Sequence, residues 1–328
     1  AVAHHLGLDH TELYVSATEA LSMVPKLPQI YDEPFADVSQ IPTFLVSEMT
    51  RKHVTVALSG DGGDELFAGY NRYTQGLRLV KALRGLPGPL PGVVSQMVSL
   101  TSPSTWDGLF AILPAGMRPR QAGDKIHKLA AVLGADAGDY FRILISPWAE
   151  AWRLVDGVAR PELAPFAEVS RDRFKTELGW MQYVDMMTYL PDDVLTKLDR
   201  ASMAVSLEAR VPLLDHRVVE FAWQLPEDLK IRQGQGKWLL RQLLHKYVPK
   251  ALVERPKMGF GVPVDAWLRG PLKDWASDLL NPVAMGQAGF LDPAPIQAKW
   301  AEHLSGRRNW QHFLWNVLMF EAWRRSPR

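Results

Sequence analysis

The chain has 328 residues, of which 47% are hydrophobic, and its formal net charge at pH 7 is only +1. This length suits one large or two ordinary domains, and the hydrophobic fraction is sufficient for a substantial core, which argues against disorder. The near-neutral charge gives no support for nucleic-acid binding. The absence of cysteine excludes disulfides, a cysteine nucleophile and thiolate metal sites within this chain, and it fits a reducing compartment.

The chain begins with the residues AVAHHLG and has no initiator methionine. These residues are typical of the last turns of a helix that ends at Gly7. A chain that begins inside a helix is expected to be part of a longer protein. No apolar run is long enough to span a membrane, and no signal peptide is visible. We therefore expect a cytoplasmic protein with no membrane partner.

Strand and helix patterns alternate early in the chain. The alternating apolar residues of 9–15 predict a short strand, and Ser16, three residues before a glutamate, predicts the cap of a helix over 19–27. Residues 42–52 predict an amphipathic helix that leads into a buried strand over 54–58. This alternation is typical of a parallel sheet, in which ligands bind beyond the carboxyl ends of the strands.

The acidic turn, residues 59–65 with the sequence SGDGGDE, follows that strand directly. A glycine-rich turn between a strand and a helix commonly binds phosphate through its N–H groups, and glycine lets a ligand approach the backbone closely. The carboxylates of this turn would repel a bare polyphosphate but suit one that arrives with Mg²⁺. The turn therefore predicts a Mg–nucleotide site. The glycines alone leave open an alternative, an acid-capped helix after a tight turn.

The pattern changes after the acidic turn. Prolines and glycines are frequent in 85–103, which predicts a connector, and from 106 to 187 only helical patterns are convincing. We expect a partial α/β nucleotide-binding region over 1–90 and a mainly helical region over 91–328 that completes the site. The tryptophans of the helical tail, from 264 onward, are expected in the core or an interface.

One helical face after Pro191 carries charged side chains. Asp193, Lys197 and Arg200 follow one another at helical spacing, so they are predicted to share this face. Such a stripe is commonly a solvated set of ion pairs. The alternative is a binding surface whose basic groups hold an anion, as the fork of an arginine can do with a carboxylate or a phosphate.

Lys257 precedes a loop shaped by Gly259 and Gly261 on either side of Phe260. A loop lysine is usually solvated. Beside a phosphoanhydride, however, it would stabilise the charge that develops in the transition state.

Three motifs in this order resemble the synthetase domain of glutamine-hydrolysing asparagine synthetases. They are SGDGGDELFAGY at 59–70, LDRASM at 198–203 followed by SLEARVPLLD at 206–215, and RPKMGFGVP at 255–263. The resemblance covers nearly the whole chain and is weakest from 87 to 178. It implies the α/β class, with a parallel sheet of the PP-loop ATPase type (adenine nucleotide alpha hydrolase-like), followed by a largely α-helical C-terminal part.

The resemblance implies a two-step reaction. ATP adenylates the side-chain carboxylate of aspartate and pyrophosphate leaves; ammonia then attacks the acyl-adenylate and expels AMP to give asparagine. ATP and Mg²⁺ are the implied cofactors. Aspartate and ammonia from a glutaminase domain are the implied partners, nucleic acid is not among them, and a homodimer is allowed.

The acidic turn supplies the implied nucleotide and metal residues. Carried over onto this sequence, Ser59, Gly60 and Gly62 bind ATP. Asp64 and Glu65 hold Mg²⁺.

The remaining implied residues come from all three motifs. Asp61 and Lys257 are catalytic, the first near the reacting carboxyl group and the second against the intermediate. Asp193, Lys197 and Arg200 bind the substrate or pyrophosphate.

Two features of the family are missing from this sequence. The phosphate loop Ser-Gly-Gly-x-Asp-Ser occurs nowhere, and no glutaminase domain with an N-terminal cysteine is present. We therefore expect an N-terminally truncated synthetase that is inactive by itself. Two alternatives stay open. One is another adenylating amide-forming ligase, such as a β-lactam synthetase, a lasso-peptide cyclase or a sugar-modifying amidotransferase. The other is a non-catalytic nucleotide-binding module. The acidic turn does not distinguish among the ligases.

Overall fold

The computed structural model describes residues 1–84, 90–112, 122–135, 139–146, 148, 151–155, 157–159, 169–254 and 262–327. The chain divides into two compact units. The first contains Ala1–Gly69 and Gln182–Arg328, and the second contains Tyr70–Met181. The functional division at residue 90 that the sequence suggests stays a prediction.

The described residues contain one sheet, which lies in the first unit. Its strands β1 (Val56–Leu58) and β2 (Glu208–Arg210) are parallel, with Ala57 opposite Ala209. Backbone bonds continue the ladder at both ends, from Glu208 N–H to the Thr55 carbonyl (2.9 Å) and from Ser59 N–H to the Arg210 carbonyl (2.8 Å). The α/β class is confirmed in this form, a mostly helical protein with a small parallel sheet. The PP-loop ATPase fold stays a prediction.

Helices make up most of the described chain, and their bounds follow in chain order. Before the second unit come α1 (Val2–Leu6), α2 (Ala17–Met23), α3 (Leu27–Tyr31), α4 (Gln40–Arg51) and α5 (Gly63–Leu66). The second unit contains α6 (Asn71–Arg84), α7 (Leu90–Ser99), α8 (Pro103–Phe110), α9 (Ala122–Leu133) and α10 (Asp139–Ile145), and α11 (Glu177–Met187) follows.

The rest of the first unit is also helical apart from β2. A π-helical segment, Leu190–Leu195, leads into α12 (Thr196–Met203). The next helices are α13 (His216–Gln224), α14 (Glu227–Lys230), α15 (Trp238–Leu244) and α16 (Lys250–Val253). The last are α17 (Val264–Arg269), α18 (Lys273–Leu279), α19 (Pro282–Ala288), α20 (Pro293–Leu304) and α21 (Gln311–Arg325).

The strand predicted over 9–15 is wrong, because the structure has neither strand nor helix there. Alternating side chains match a strand, but a strand also needs a neighbouring backbone, and these residues form no sheet ladder. Their apolar side chains are accordingly exposed, Leu13 by 41% and Tyr14 by 85%. The predicted cap of the next helix is confirmed, since Ser16 and Glu19 form a reciprocal capping box at α2.

The strand predicted before the acidic turn is present, but the prediction that it is buried is wrong. Val56 is 36% and Leu58 is 73% exposed. A sheet with two strands leaves each strand with one neighbour, so β-branched and apolar residues can form a strand here without being enclosed.

The core of the first unit continues under the acidic turn and into the C-terminal helices. Leu66 and Phe67 pack with Ala222, and side chains of α13 and α15 surround them. Among the tail tryptophans, Trp300 and Trp315 are buried, as the sequence predicts. Within the described part of the chain, no helix is both long enough and apolar enough to cross a membrane.

The second unit has an aromatic core of its own. Tyr140, Phe141 and Trp180 are all buried, and the rings of Phe141 and Trp180 lie 5.6 Å apart. As predicted, the described residues of this region form no strand.

Candidate active site

The backbone of the acidic turn is shaped by glycine. Gly62 precedes α5 with a φ of +80°, and a side chain at this position would also clash with Leu214. Around Gly60 the described part of the chain leaves open space, because a Cβ atom added there would meet none of its atoms within 4 Å. Gly62 is therefore needed for the shape of the turn, and Gly60 leaves the backbone accessible to a ligand.

Ser59 and Asp61 interact on the strand side of this turn. Ser59 Oγ donates a hydrogen bond to the carboxylate of Asp61, and the Asp61 N–H lies 3.4 Å from Ser59 Oγ. Both side chains are half-buried. The serine thus orients the carboxylate at the end of β1, where a parallel sheet places its ligands.

Asp64, on the helix side of the turn, forms an ion pair with Lys237, which the sequence did not indicate. Lys237 Nζ lies 3.1 Å from Asp64 Oδ2, with 31% and 24% of the two side chains exposed. Lys237 has a φ of +55°, unusual for a residue with a side chain, and its N–H donates to the Phe67 carbonyl at 2.9 Å. This backbone bond fixes the lysine where its ammonium reaches the turn.

Two glycines make room for the ion pair. A side chain at Gly69 would clash with the Asp64 carboxylate and with the chain of Lys237. A side chain at Gly236 would clash with the carbonyl of Ala68. The string GQGK at 234–237 was the available sequence signal, since glycine is common where two backbones approach closely. Nothing in the sequence connects this string with the acidic turn.

Lys197 lies between two carboxylates rather than on an open face. Its Nζ is 2.6 Å from Asp37 Oδ2 and 3.5 Å from Asp193 Oδ1. Asp37 is also held by Ser39, through its N–H at 2.9 Å and its Oγ at 2.7 Å. The structure thus brings together two of the three charged residues predicted to share a face, and adds Asp37. These three residues, Asp37, Asp193 and Lys197, form the acid–lysine cluster.

The pKa values in the acid–lysine cluster reflect burial and mutual charge. Burial and the negative charge of Asp37 raise the pKa of Asp193. Burial opposes ionisation of Asp37, but the ammonium of Lys197 and the two hydrogen bonds from Ser39 together lower the pKa of that carboxyl group. Burial likewise opposes the charge of Lys197, and Asp37 raises its pKa nonetheless. The positive charge of Lys197 is therefore largely neutralised inside the cluster.

Arg200 does not join this cluster. Its guanidinium pairs with the adjacent Asp199, and 49% of the Arg200 side chain is exposed. An incoming anion would meet Arg200 more readily than the partly buried Lys197, of which only 14% is exposed.

The comparisons with known proteins match this chain along nearly its whole length. The model of the family described as asparagine synthase matches residues 1–325. The chain belongs to the asparagine synthase family. A Mycobacterium tuberculosis protein, provisionally named as a glutamine-hydrolysing asparagine synthetase, is 35% identical over 330 residues, which cover 98% of this chain and 47% of that protein. The resemblance found in the sequence is thereby confirmed at the level of the family.

Two further relatives match most of this chain. Glutamine-hydrolysing asparagine synthetase 1 of Bacillus subtilis is 30% identical over 318 residues, which cover 97% of this chain and 48% of that protein. A Gibberella zeae protein named amidase is 22% identical over 309 residues, 88% of this chain and 44% of that protein. The chain spans about half the length of the curated relatives that it matches.

In the acidic turn of this asparagine synthase family member, Asp64 is better placed than Glu65 to bind Mg²⁺. Asp64 is half-buried, whereas Glu65 is only 1% exposed. In the part of the chain that the structure describes, no group of three or more carboxylates and histidines is placed to hold a metal by itself. Mg²⁺ commonly needs only one or two carboxylates when substrate phosphates and water complete its shell. The assignments of Asp64 and Glu65 stay predictions.

The third motif of the family cannot be compared in the same way. Lys257, the predicted catalytic lysine, lies outside the described residues, as does the loop that contains Gly259 and Gly261. Its predicted role therefore rests on the sequence alone.

Proposed function

We propose that this chain is the synthetase part of a glutamine-dependent asparagine synthetase, an ATP-dependent amide ligase. In the proposed reaction, an oxygen of the aspartate side chain attacks the α-phosphorus of ATP and pyrophosphate leaves. Ammonia released from glutamine then attacks the acyl carbon, its nitrogen loses a proton, and AMP leaves with the former carboxylate oxygen. The family match supports this class of reaction, and the open acidic turn supports its location.

In this proposal, the nucleotide binds at the end of the acidic turn that adjoins β1. Ser59, Gly60 and Gly62 would bind ATP, and the single observation that carries this assignment is the open space above Gly60 at the carboxyl end of a parallel strand. Asp61, oriented by Ser59, would lie beside the reacting carboxyl group and accept the proton that the ammonia nitrogen loses.

Residues on the helix side of the turn would bind the metal ion that offsets the negative charge of the phosphates. Asp64, with Glu65 as a second candidate, would hold Mg²⁺, which when bound would offset the charge of the departing pyrophosphate. Lys237 keeps Asp64 in place and neutralises part of the acidic turn. Lys257 would stabilise the charge that develops on the reacting phosphate.

Binding of the substrate carboxylate or of pyrophosphate is proposed for Arg200, Lys197 and Asp193. The exposed Arg200 would make the first contact. Lys197 could contribute only if an anion draws its ammonium away from Asp37, because that pair is already closed at 2.6 Å.

The reaction is tested in the full-length protein with ATP, Mg²⁺, aspartate and an ammonium salt. Ammonium replaces glutamine, so the assay reports on the synthetase site alone. We expect AMP and asparagine in equal amounts, and no AMP when aspartate is replaced by glutamate. We expect the 328-residue chain alone to make no AMP, because the Ser-Gly-Gly-x-Asp-Ser loop is missing. AMP formation that ignores aspartate, or no AMP at all from the full-length protein, would contradict the proposal.

A second candidate is another adenylating amide ligase with a different acceptor. The observation that favours a substrate other than aspartate is the similarity to a Gibberella zeae protein that is named amidase and not asparagine synthetase. The same assay distinguishes the two, because such a ligase would release pyrophosphate with another carboxylic acid and not with aspartate.

A further inference from the structure

We infer that Lys230 is a positioning residue of the acidic turn and that it acts through the side-chain amide of Gln182. The inference rests on the proposed function in one respect, namely that the turn is where the phosphates and their metal bind. Lys230 and Gln182 are both buried and lie in none of the three motifs that identify the family.

The helix that follows the turn is a single turn long, so its carbonyl groups need partners from elsewhere. Backbone N–H groups later in the chain bond the carbonyls of residues 62–64 and of Phe67. The two carbonyls between them, those of Glu65 and Leu66, both accept from Nε2 of Gln182, at 2.9 Å in the case of Leu66. One side-chain amide thus fastens the part of the helix that carries the predicted metal-binding carboxylates.

Lys230 holds the other end of that amide. Its Nζ lies 3.0 Å from Oε1 of Gln182. Lysine can only donate hydrogen bonds, and carbonyl groups can only accept them. The oxygen of the amide must therefore face Lys230, and its NH₂ group must face the carbonyls of Glu65 and Leu66. Without Lys230, the Oε1 of this buried amide would lose its donor, and a buried acceptor without a partner is destabilising. Gln182 would then be held at one end only and could move away from the carbonyls of Glu65 and Leu66 to find another donor.

The surroundings of Lys230 argue against a purely stabilising role. The residue is 5% exposed, and its ammonium lies 5.4 Å from the centre of the Trp223 ring. Burial lowers the pKa of Lys230 to about 8, against the opposing influence of the negative charge of Glu227. A well-packed apolar side chain is commonly no worse for stability than a buried charge. The specific contribution of a lysine here is a donor aimed at Gln182.

Loss of this donor would therefore disturb the geometry of the acidic turn more than the stability of the whole fold. If Gln182 releases the carbonyls of Glu65 and Leu66, the single-turn helix loosens and Asp64 shifts relative to Lys237. Misplacement of a reacting group by about 1 Å can cost about a hundredfold in rate.

The test is Lys230→Met in the full-length protein, with Lys128→Met, at an exposed lysine, as the control. Lys128 also donates to backbone carbonyls, those of Leu144 and Ser146, but it lies on α9 in the second unit. Two quantities are measured for each variant: the Mg²⁺ dependence of ammonia-driven AMP formation, and amide hydrogen exchange in residues 62–69.

We expect Lys230→Met to lower kcat by at least about tenfold, to raise the Mg²⁺ concentration needed for half-maximal rate, and to speed exchange in 62–69. Lys128→Met should change neither. Lys230→Arg keeps a donor-only cation at this position, so it should retain most of the exchange protection in residues 62–69. This variant also keeps the inference testable if Lys230→Met does not fold.

The exchange measurement separates this inference from the proposed function. If the wild-type protein makes no AMP, the proposed function is wrong, and exchange alone decides the role of Lys230. Wild-type exchange in 62–69 in the folded Lys230→Met variant would overturn the inference. Met285→Ala removes a buried side chain from the C-terminal core and serves as a variant that is destabilised away from the turn. If Lys230→Met and Met285→Ala lose the same activity for the same fall in melting temperature, the inference is overturned as well.

Discussion

The acidic turn and the acid–lysine cluster are built from the same chemical groups but leave different amounts of charge available. In the turn, Asp64 and Lys237 are 3.1 Å apart, and about a quarter to a third of each side chain is exposed. In the cluster, Lys197 is 2.6 Å from Asp37, and less than a fifth of each is exposed. The turn also has open space over Gly60, whereas the amide and hydroxyl of Ser39 already occupy Asp37.

The difference shows why charge type and spacing alone do not identify a binding site. Both regions contain more carboxylates than lysines, but in the cluster the charges satisfy one another across the chain. In the turn, the backbone at Gly60 is accessible, and Asp64 and Lys237 are more exposed than Asp37 and Lys197. A cationic ligand, or an anion accompanied by a cation, therefore has more to gain at the turn than at the cluster.

The largest expected effect on stability comes from opening the cluster with Lys197→Met. This change leaves Asp37 and Asp193 facing each other without their shared cation. We expect the free energy of unfolding to fall by about 3 kcal/mol, as for other ion pairs that are mostly buried. Urea denaturation at pH 7 measures it.

The control for that variant is Arg210→Met, which breaks the exposed pair of Arg210 with Glu208 on β2. Exposed pairs contribute roughly 1 kcal/mol or less. An equal loss in the two variants would mean that the cluster is as solvated as the surface pair, and the contrast with the turn would disappear.

A smaller effect is expected from pH, through Lys230 below the turn. Its folded pKa of about 8 lies below the value of about 10.4 for an unfolded lysine. Between these values the unfolded chain binds more protons, so this group makes the free energy of unfolding rise with pH from about 8 to about 10, and has no influence on its slope below about 8.

We therefore expect the stability difference between the wild type and Lys230→Met to move in favour of the wild type by about 2 kcal/mol between pH 7.5 and pH 10. Guanidinium denaturation of both proteins at the two pH values measures the difference. If the stability difference between the two proteins is the same at both pH values, Lys230 has an ordinary pKa and its ammonium is not desolvated in the folded protein.

Local features of the fold could be predicted from the sequence where nearby residues determine them. Ser16 and Glu19 form the predicted capping box because the motif needs only four consecutive residues. The strand before the acidic turn and the helix after it follow in the same way. The strand predicted over 9–15 failed because a strand depends on a partner backbone, which periodicity does not supply.

Contacts between distant parts of the chain were not predictable. The pairing of Lys237 with Asp64 and that of Asp37 with Lys197 both depend on the tertiary fold. The helical spacing of Asp193 and Lys197 correctly indicated their proximity, but it could not show that a third residue, Asp37, would take most of the lysine charge. The family motifs located the candidate site, and the structure added the residues that hold it.

The most direct test of the central claim, that the acidic turn binds a phosphate–Mg²⁺ ligand, is the Mg²⁺ dependence of ammonia-driven AMP formation by Asp64→Asn in the full-length protein. The amide keeps the shape of the carboxylate and removes its charge. Asp278→Asn, at an 84% exposed carboxylate of α18, is the matched control. We predict that Asp64→Asn is slower by about a hundredfold at low Mg²⁺ and recovers in part at high Mg²⁺, while Asp278→Asn behaves as the wild type. A Mg²⁺ dependence of Asp64→Asn equal to that of the wild type would contradict the account and would leave Asp64 as a helix-capping residue paired with Lys237.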